Sequence, residues 1–188
     1  MYKKRIALLL GLAVLMLNCR VQSAGEWEKG IQTALKKLGH RNWILIADAA
    51  YPAYSSIGVE IILTEDDLIS VLKSTLKAIE KSGHVRPDIF LDKELGYISE
   101  RQAPGISKFR KKLDSVLQKL KPQPILHAEL LDRLDRTSQT YKVLVLKTNM
   151  QLPYTSVFIQ LDCGYWDPGQ ERTLRRLMAK PEKINPKK

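Results

Sequence analysis

The sequence has little of what metal, disulfide and phosphate sites require. Only 2 cysteines and 3 histidines occur in 188 residues, and the dispersed histidines provide no zinc-ligand spacing. The 10 glycines are scattered rather than gathered in a phosphate-binding loop, and no Gly-x-Ser-x-Gly motif is present. The sequence therefore predicts no metal site, and it carries no signature of a nucleotide-binding enzyme or of a serine hydrolase.

Positive charge is concentrated at the two ends of the chain. The formal net charge is +11, of which residues 1–23 contribute +4 and residues 170–188 contribute +5. Residues 24–169 are left with about +2. A body so close to neutral, without a recognition motif, argues against nucleic-acid binding.

The N-terminus has the three parts of a secretory signal peptide. Three basic residues precede the apolar run 6–17, and small residues follow near position 23. An apolar helix of this length spans roughly 18 Å, which is short of a hydrocarbon core of roughly 30 Å. We expect residues 1–23 to be removed and the protein to be exported, either to the periplasm or out of the cell. A lipoprotein anchored to the membrane through Cys19 is the alternative.

The rest of the chain alternates helical and strand patterns, and no internal repeat is visible. Apolar spacing predicts helices over 26–38, 68–81, 107–120 and 128–136. Strands are predicted over 43–47, 58–63, 88–92, 125–127, 141–148 and 157–162. Gly39 is expected to end the first helix and Ser107 to cap the third, while the continuous apolarity of 43–47 predicts a buried central strand. This alternation predicts one α/β domain over 24–169, with a central sheet flanked by helices.

The basic tail 170–188 is expected to be a solvated and partly disordered end. Its arginines lie beside Leu174, Leu177 and Met178. An amphipathic turn that contacts an acidic partner or a membrane surface is therefore the alternative interpretation.

Polar residues interrupt the apolar pattern at three predicted strand boundaries, namely 38–40, 47–52 and 153–156. Ligands of α/β sheets bind where strand ends meet, so side chains from these segments can converge. His40 ends the first helix and Asp48 lies at the far end of the next strand, which allows them to meet across a cleft, within one subunit or between two. Helix-end and turn-forming structural roles are the competing interpretations of these two residues.

The residues LGHRNWILIADAAYP at 38–52, GVEIILT at 58–64 and PYTSVFI at 153–159 carry a family resemblance. The sequence resembles the ribose pyranase / fucose mutarotase (RbsD/FucU) family over 30–64 and 142–160. The resemblance implies a small α/β domain that needs no metal or other cofactor and assembles into a homo-oligomeric ring, often a decamer. It also implies sites for a monosaccharide at the subunit interfaces.

The activity that this resemblance implies is that of a mutarotase or pyranase, which interconverts sugar anomers or ring sizes by acid–base ring opening. The resemblance matches His40 to the family's catalytic histidine, Asp48 to its strand-end aspartate and Tyr154 to its sugar-contacting tyrosine. Ser156 stands at the position of the family's asparagine, and His127 is the nearest counterpart of a second histidine. Histidine suits such proton transfers because its pKa is close to neutral.

The departures from the family pattern leave other functions open. Ser156 lacks the paired donor and acceptor of an asparagine amide, and the chain carries additional residues after its last strand. A non-catalytic sugar-binding or structural relative of the same fold is therefore the alternative function. A surface-associated interaction protein that acts through the basic tail is a third hypothesis.

Overall fold

The structure, a computed structural model, describes residues 25–53 and 55–179. The predicted signal peptide, with Cys19, lies outside the described residues, as does the end of the basic tail from residue 180 onwards. Across the ranges that are described, no helix has the length and apolarity needed to cross a membrane.

The described residues form six strands and five α-helices. The strands are β1 (Trp43–Ala47), β2 (Val59–Leu63), β3 (Val85–Asp92), β4 (Gln123–Ile125), β5 (Val143–Lys147) and β6 (Val157–Cys163). The helices are α1 (Glu26–Leu35), α2 (Leu68–Ser82), α3 (Ile106–Leu117), α4 (His127–Ser138) and α5 (Pro168–Met178), and a 3-10 helix (Lys93–Tyr97) follows β3. The predicted α/β fold class is confirmed.

All six strands belong to one mixed sheet, in the order β2-β5-β1-β6-β3-β4. β6 runs antiparallel to both of its neighbours, whereas β1 to β5 all run in one direction. The last residues of β1 to β5 and the first residue of β6 therefore lie along the same edge of the sheet, called here the carboxyl edge. Ligands of α/β sheets bind at an edge of this kind.

Helices cover both faces of the sheet. Residues of α1, α2 and α3 form the larger apolar cluster on one face, and α4 packs on the other. Strand β1 is buried on both faces, since Ile44 belongs to the first cluster, and Leu45 packs with Leu130 and Leu134 of α4 in the second. The predicted buried central strand is confirmed.

Several predicted helix boundaries differ from the observed ones, and hydrogen bonds explain the end of α1 and the start of α3. α1 ends at Leu35 rather than at residue 38, because the backbone N–H groups of Lys37 and Leu38 both bond to Ala34 in a terminal turn. Ser107 does not cap α3. The N-cap is Gly105, and the Glu100 carboxylate accepts hydrogen bonds from the N–H groups of Gly105 and Ser107. A carboxylate from an earlier loop thus replaces the expected hydroxyl cap.

Two further segments are more ordered than the sequence pattern predicts. β3 begins at Val85 rather than at residue 88, because it pairs with β6 from Val85 opposite Cys163 to Leu91 opposite Val157. Part of the basic tail, for which disorder is expected, forms α5. This helix is nevertheless solvated, since none of its residues is buried.

Candidate functional site

A cleft of about 680 Å³ lies at the carboxyl edge of the sheet. It is enclosed by the loop after β1, the start of α4 and the connection between β5 and β6. Its volume falls within the range of small-molecule sites, roughly 300–1,000 Å³. The lining residues are Asp48, Ala49, Ala50, Tyr51, Pro52, His127, Leu131, Met150, Gln151, Leu152, Pro153 and Tyr154.

His127 in this cleft is paired with a buried carboxylate. Asp92, the last residue of β3, lies opposite Ile125 of β4, and His127 begins α4 two residues later. Nδ1 of His127 is 3.0 Å from Oδ1 of Asp92, whose side chain is fully buried. An ionised Asp92 accepts a hydrogen bond from Nδ1–H of His127. This bond fixes the imidazole tautomer in which Nε2 carries no proton and can accept a hydrogen bond from a ligand. No described residue bonds to Nε2 of His127.

The surroundings of Asp92 raise its pKa well above the usual value for an aspartate. Burial raises the pKa of Asp92 to about 6, the hydrogen bond to His127 opposes this rise, and the charges of Glu94 and Asp48 reinforce it. The second carboxylate oxygen, Oδ2, is buried and has no hydrogen-bond partner in the described part of the chain. Perturbed and incompletely paired carboxylates are typical of functional sites.

Glu94 fixes the start of α4 and therefore the position of His127. Both of its carboxylate oxygens accept from the backbone N–H of His127, at 3.2 and 3.1 Å. An acidic group at a helix N-terminus is favourable because it meets unpaired N–H groups and the positive end of the helix dipole. The 3-10 helix after β3 thus anchors the residue that Asp92 orients.

Tyr154 lines the cleft beside His127, and its backbone is strained. Its ring meets the His127 ring edge to face, with centroids 5.3 Å apart. The residue has a φ of 55°, a left-handed conformation that is unfavourable for a bulky side chain, and it is 38% exposed. The Thr155 hydroxyl donates to Leu152 and closes this turn. Backbone strain of this kind concentrates at ligand sites.

Asp48 and Ser156 are joined directly. The Ser156 hydroxyl donates to Oδ2 of Asp48 at 3.0 Å and accepts from the Asp48 backbone N–H at 3.3 Å. Oδ1 of Asp48 accepts from the N–H of Ala50. Asp48 lines the cleft, whereas Ser156 is only 2% exposed. In the structure the Ser156 hydroxyl bonds to Asp48. The expectation that Ser156 contacts the sugar, as the family's asparagine position implies, stays a prediction.

Hydrogen bonds from side chains to backbone carbonyls hold the loops around the cleft together. The Thr148 hydroxyl donates to the carbonyl of Ala47 at the end of β1. Lys147, at the end of β5, donates to the carbonyl of Tyr51 in the loop after β1. The chain segments that follow two adjacent strands therefore form one wall, with Asp48 held in it.

His40 lies at the other edge of the sheet. It precedes β1, whereas Asp48 follows β1, so the five-residue strand separates the two side chains. His40 is exposed and does not line the cleft. The expectation that His40 and Asp48 meet within one subunit is therefore wrong. The alternative, in which they meet between two subunits, stays a prediction.

The structure brings together Asp48, His127 and Tyr154, with Ser156 directly beneath Asp48. The sequence analysis did not single out Asp92. The signal for it was an acidic residue at the carboxyl end of a predicted strand, the same position that Asp48 occupies. Within the described residues, no group of three histidine, cysteine, aspartate or glutamate side chains is arranged to hold a metal ion.

The protein is a layered α/β domain with a cleft and a histidine–aspartate pair at the carboxyl edge of its sheet. The chain belongs to the RbsD / FucU transport protein family, whose sequence profile matches residues 27–164. No curated protein matches the chain in a sequence comparison.

Several solved structures are similar to the chain. Bacillus subtilis RbsD complexed with D-ribose is 18% identical, with a TM-score of 0.49 over 71% of this chain and 91% of that one. The fucose mutarotase of Streptococcus pneumoniae, in complex with L-fucose, is 15% identical, with a TM-score of 0.46 over 69% and 89%. FucU from Bifidobacterium longum is 13% identical, with a TM-score of 0.49 over 71% and 92%.

Proposed function

We propose that the protein binds a monosaccharide in the cleft lined by Asp48, His127 and Tyr154 and interconverts its anomers or ring forms. The observation that carries this proposal is the pairing of His127 with the buried Asp92 at the wall of the cleft. Membership of the RbsD / FucU family supports it.

The proposed reaction needs two coupled proton transfers. Nε2 of His127 removes the proton from the anomeric hydroxyl, and the protonated carboxyl of Asp48 or a water molecule in the cleft gives a proton to the ring oxygen. The bond between the anomeric carbon and the ring oxygen breaks, and its electron pair stays on the ring oxygen. The open-chain aldehyde rotates, or a different hydroxyl attacks it, and the reverse transfers close the new ring. A positioned acid–base group contributes roughly 10²–10⁴-fold to such a step.

The other residues have assigned parts in this proposal. Asp92 is a positioning residue, because it lies beneath His127 and reaches the sugar only through the imidazole. Asp48 lines the cleft with a carboxylate that suits a sugar hydroxyl or the second proton. Tyr154 offers a half-exposed ring and phenol to the sugar, and Ser156 holds Asp48.

We further propose that the working site is completed by a second subunit. His40 is exposed at the edge of the sheet opposite the cleft, so it reaches a cleft only from a neighbouring copy. A closed homo-oligomer, such as a ring, repeats this contact at every interface.

Saturation-transfer NMR tests the activity. Purified protein is added to D-ribose, L-fucose or D-galactose, and exchange between anomers or ring forms is compared with the spontaneous rate. We expect acceleration for at least one sugar and its loss in His127→Asn. His84→Asn is the matched control, because His84 is remote from the cleft. Acceleration of none of the three sugars contradicts the proposed catalysis; sugar binding in calorimetry without acceleration supports the non-catalytic alternative instead.

A further inference from the structure

The helix α5 is well formed although none of its residues is buried. Its N-cap is a complete capping box, in which Asp167 accepts from the N–H of Gln170 and the Gln170 side chain accepts from the N–H of Asp167. Arg175 pairs with Glu171 one turn earlier. Local interactions of this kind stabilise a helix whose residues are all unburied.

Apolar and basic side chains are segregated around α5. Leu174, Leu177 and Met178 follow the i, i+3, i+4 spacing of one helix face and are 40%, 59% and 67% exposed. The basic residues have the same spacing but each lies two positions earlier in the chain. They therefore lie on the opposite face, since two residues rotate a helix by roughly 200°. These basic residues are Arg172, Arg175 and Arg176.

Two exposed aromatic residues precede the helix. Tyr165 is 76% exposed, and Trp166 is 40% exposed with its indole N–H bonded to Glu171. Tryptophan and tyrosine are enriched where a membrane meets water, because each has an apolar body and a polar tip. The segment from Tyr165 to Met178 thus combines interfacial aromatics, an apolar face and a basic face.

We propose that α5, together with Tyr165 and Trp166, binds an anionic lipid surface. The charge of the sequence fits this occupant, because residues 170–188 carry +5 whereas residues 24–169 carry about +2. An anionic surface attracts the arginines, and the apolar face can insert into the lipid. A ligand bound by charge alone would leave that apolar face exposed. This surface is independent of the sugar cleft.

Trp166 provides a local measurement of lipid contact in the full-length chain. The chain has 3 tryptophans, and the other two, Trp27 and Trp43, are only 4% and 3% exposed. The apolar N-terminal run 6–17 contains no tryptophan. A blue shift of tryptophan emission on adding vesicles therefore reports on α5 and not on the N-terminus.

The vesicles consist of phosphatidylcholine alone or of an equal mixture with phosphatidylglycerol. We expect a blue shift with the anionic vesicles that weakens at high salt, and little shift with phosphatidylcholine alone. The triple variant Arg172→Gln, Arg175→Gln, Arg176→Gln should bind at least ten-fold more weakly. The double variant Leu174→Ser, Leu177→Ser should lose the shift with its charge intact.

The matched control is the triple variant Lys108→Gln, Lys111→Gln, Lys119→Gln, which removes the same charge from exposed positions on and after α3. This control should retain the shift. Equal weakening in the control, an equal shift with both vesicles, or no shift overturns the proposal. An equal shift on adding polyglutamate also overturns the proposal, because it identifies an acidic protein as the ligand. Light scattering that shows dimers without lipid, lost in the double leucine variant, overturns it as well.

Discussion

Nδ1 of His127 lies 3.0 Å from Oδ1 of Asp92, at the meeting point of β3 and α4. Asp92 is inaccessible to solvent, and His127 lines the cleft. The protein therefore exposes the imidazole and hides the group that orients it. This division of roles predicts different consequences for the two substitutions.

His127→Asn should lower the accelerated exchange of the sugar by about 10²-fold or more, because it removes the proton carrier. Asp92→Asn should cost less, about 10–100-fold, because the imidazole remains but its tautomer is no longer fixed. Exchange rates against pH separate the two roles. The wild-type rate should fall as pH drops through about 6, the pKa to which burial raises Asp92, and the midpoint of this fall should move in Asp92→Asn. An unchanged profile in Asp92→Asn contradicts the positioning role.

Asp92 should also make folding stability depend on pH. Its pKa rises from 3.8 to about 6 on folding, mainly through burial, so the native state holds the proton more tightly than the unfolded state. The free energy of unfolding should therefore fall as pH rises from about 4 to about 6, by at most about 3 kcal/mol from this group. Urea denaturation should show this fall reduced in Asp92→Asn. The exposed Asp114→Asn is the control, and an equal change in both variants contradicts the assignment.

Removal of the Ser156 hydroxyl should loosen Asp48. Ser156→Ala leaves the backbone N–H of Asp48 without its side-chain acceptor and frees one carboxylate oxygen. We expect a loss of about 1–3 kcal/mol in the free energy of unfolding, the usual cost of an unmet buried polar group. Sugar affinity in calorimetry should fall as well. The exposed Ser115→Ala should change neither, and a stable Ser156→Ala protein with full affinity would show that Ser156 does not position Asp48.

The parts of the fold that were predictable are those set by local pattern. The five apolar residues of β1 mark a buried strand wherever its neighbours lie, and its observed limits match the prediction. The start of β3 was missed, because its first residues, including Arg86 and Pro87, become a strand through pairing with the distant β6. The cap of α3 was missed for a similar reason, since Glu100 reaches it from a loop.

The candidate site divides in the same way. Asp48, His127 and Tyr154 could be identified from strand-boundary positions and family resemblance. Asp92 occupies the same kind of strand-end position, but that position alone does not show its importance. Its importance arises from burial beside His127, which depends on β3 and β4 being neighbours. The position of His40 also depended on topology, because a residue before a strand and a residue after it lie at opposite edges of the sheet.

The proposed role of His40 can be tested by mixing subunits. If each cleft takes His127 from one subunit and His40 from its neighbour, His40→Ala and His127→Asn should each be inactive alone. Unfolding and reassembling the two variants together in equal amounts should restore activity, because about a quarter of the interfaces then carry both histidines. A mixture without recovered sugar exchange, although native mass spectrometry shows oligomers that contain both variants, contradicts a shared site.

His84 should stabilise the fold in the opposite pH direction to Asp92. Its two ring nitrogens contact the carbonyls of Leu38 and Ser82, which only accept hydrogen bonds, so the protonated ring satisfies both. These contacts raise the pKa of His84 above 6.5. The stabilisation, about 1 kcal/mol for a cation at helix C-termini, should be complete below pH 6.5 and lost as pH rises through the folded-state value. Urea denaturation should therefore show His84→Asn costing more at pH 5.5 than at pH 8.5. A pH-independent cost in His84→Asn contradicts the charged bridge.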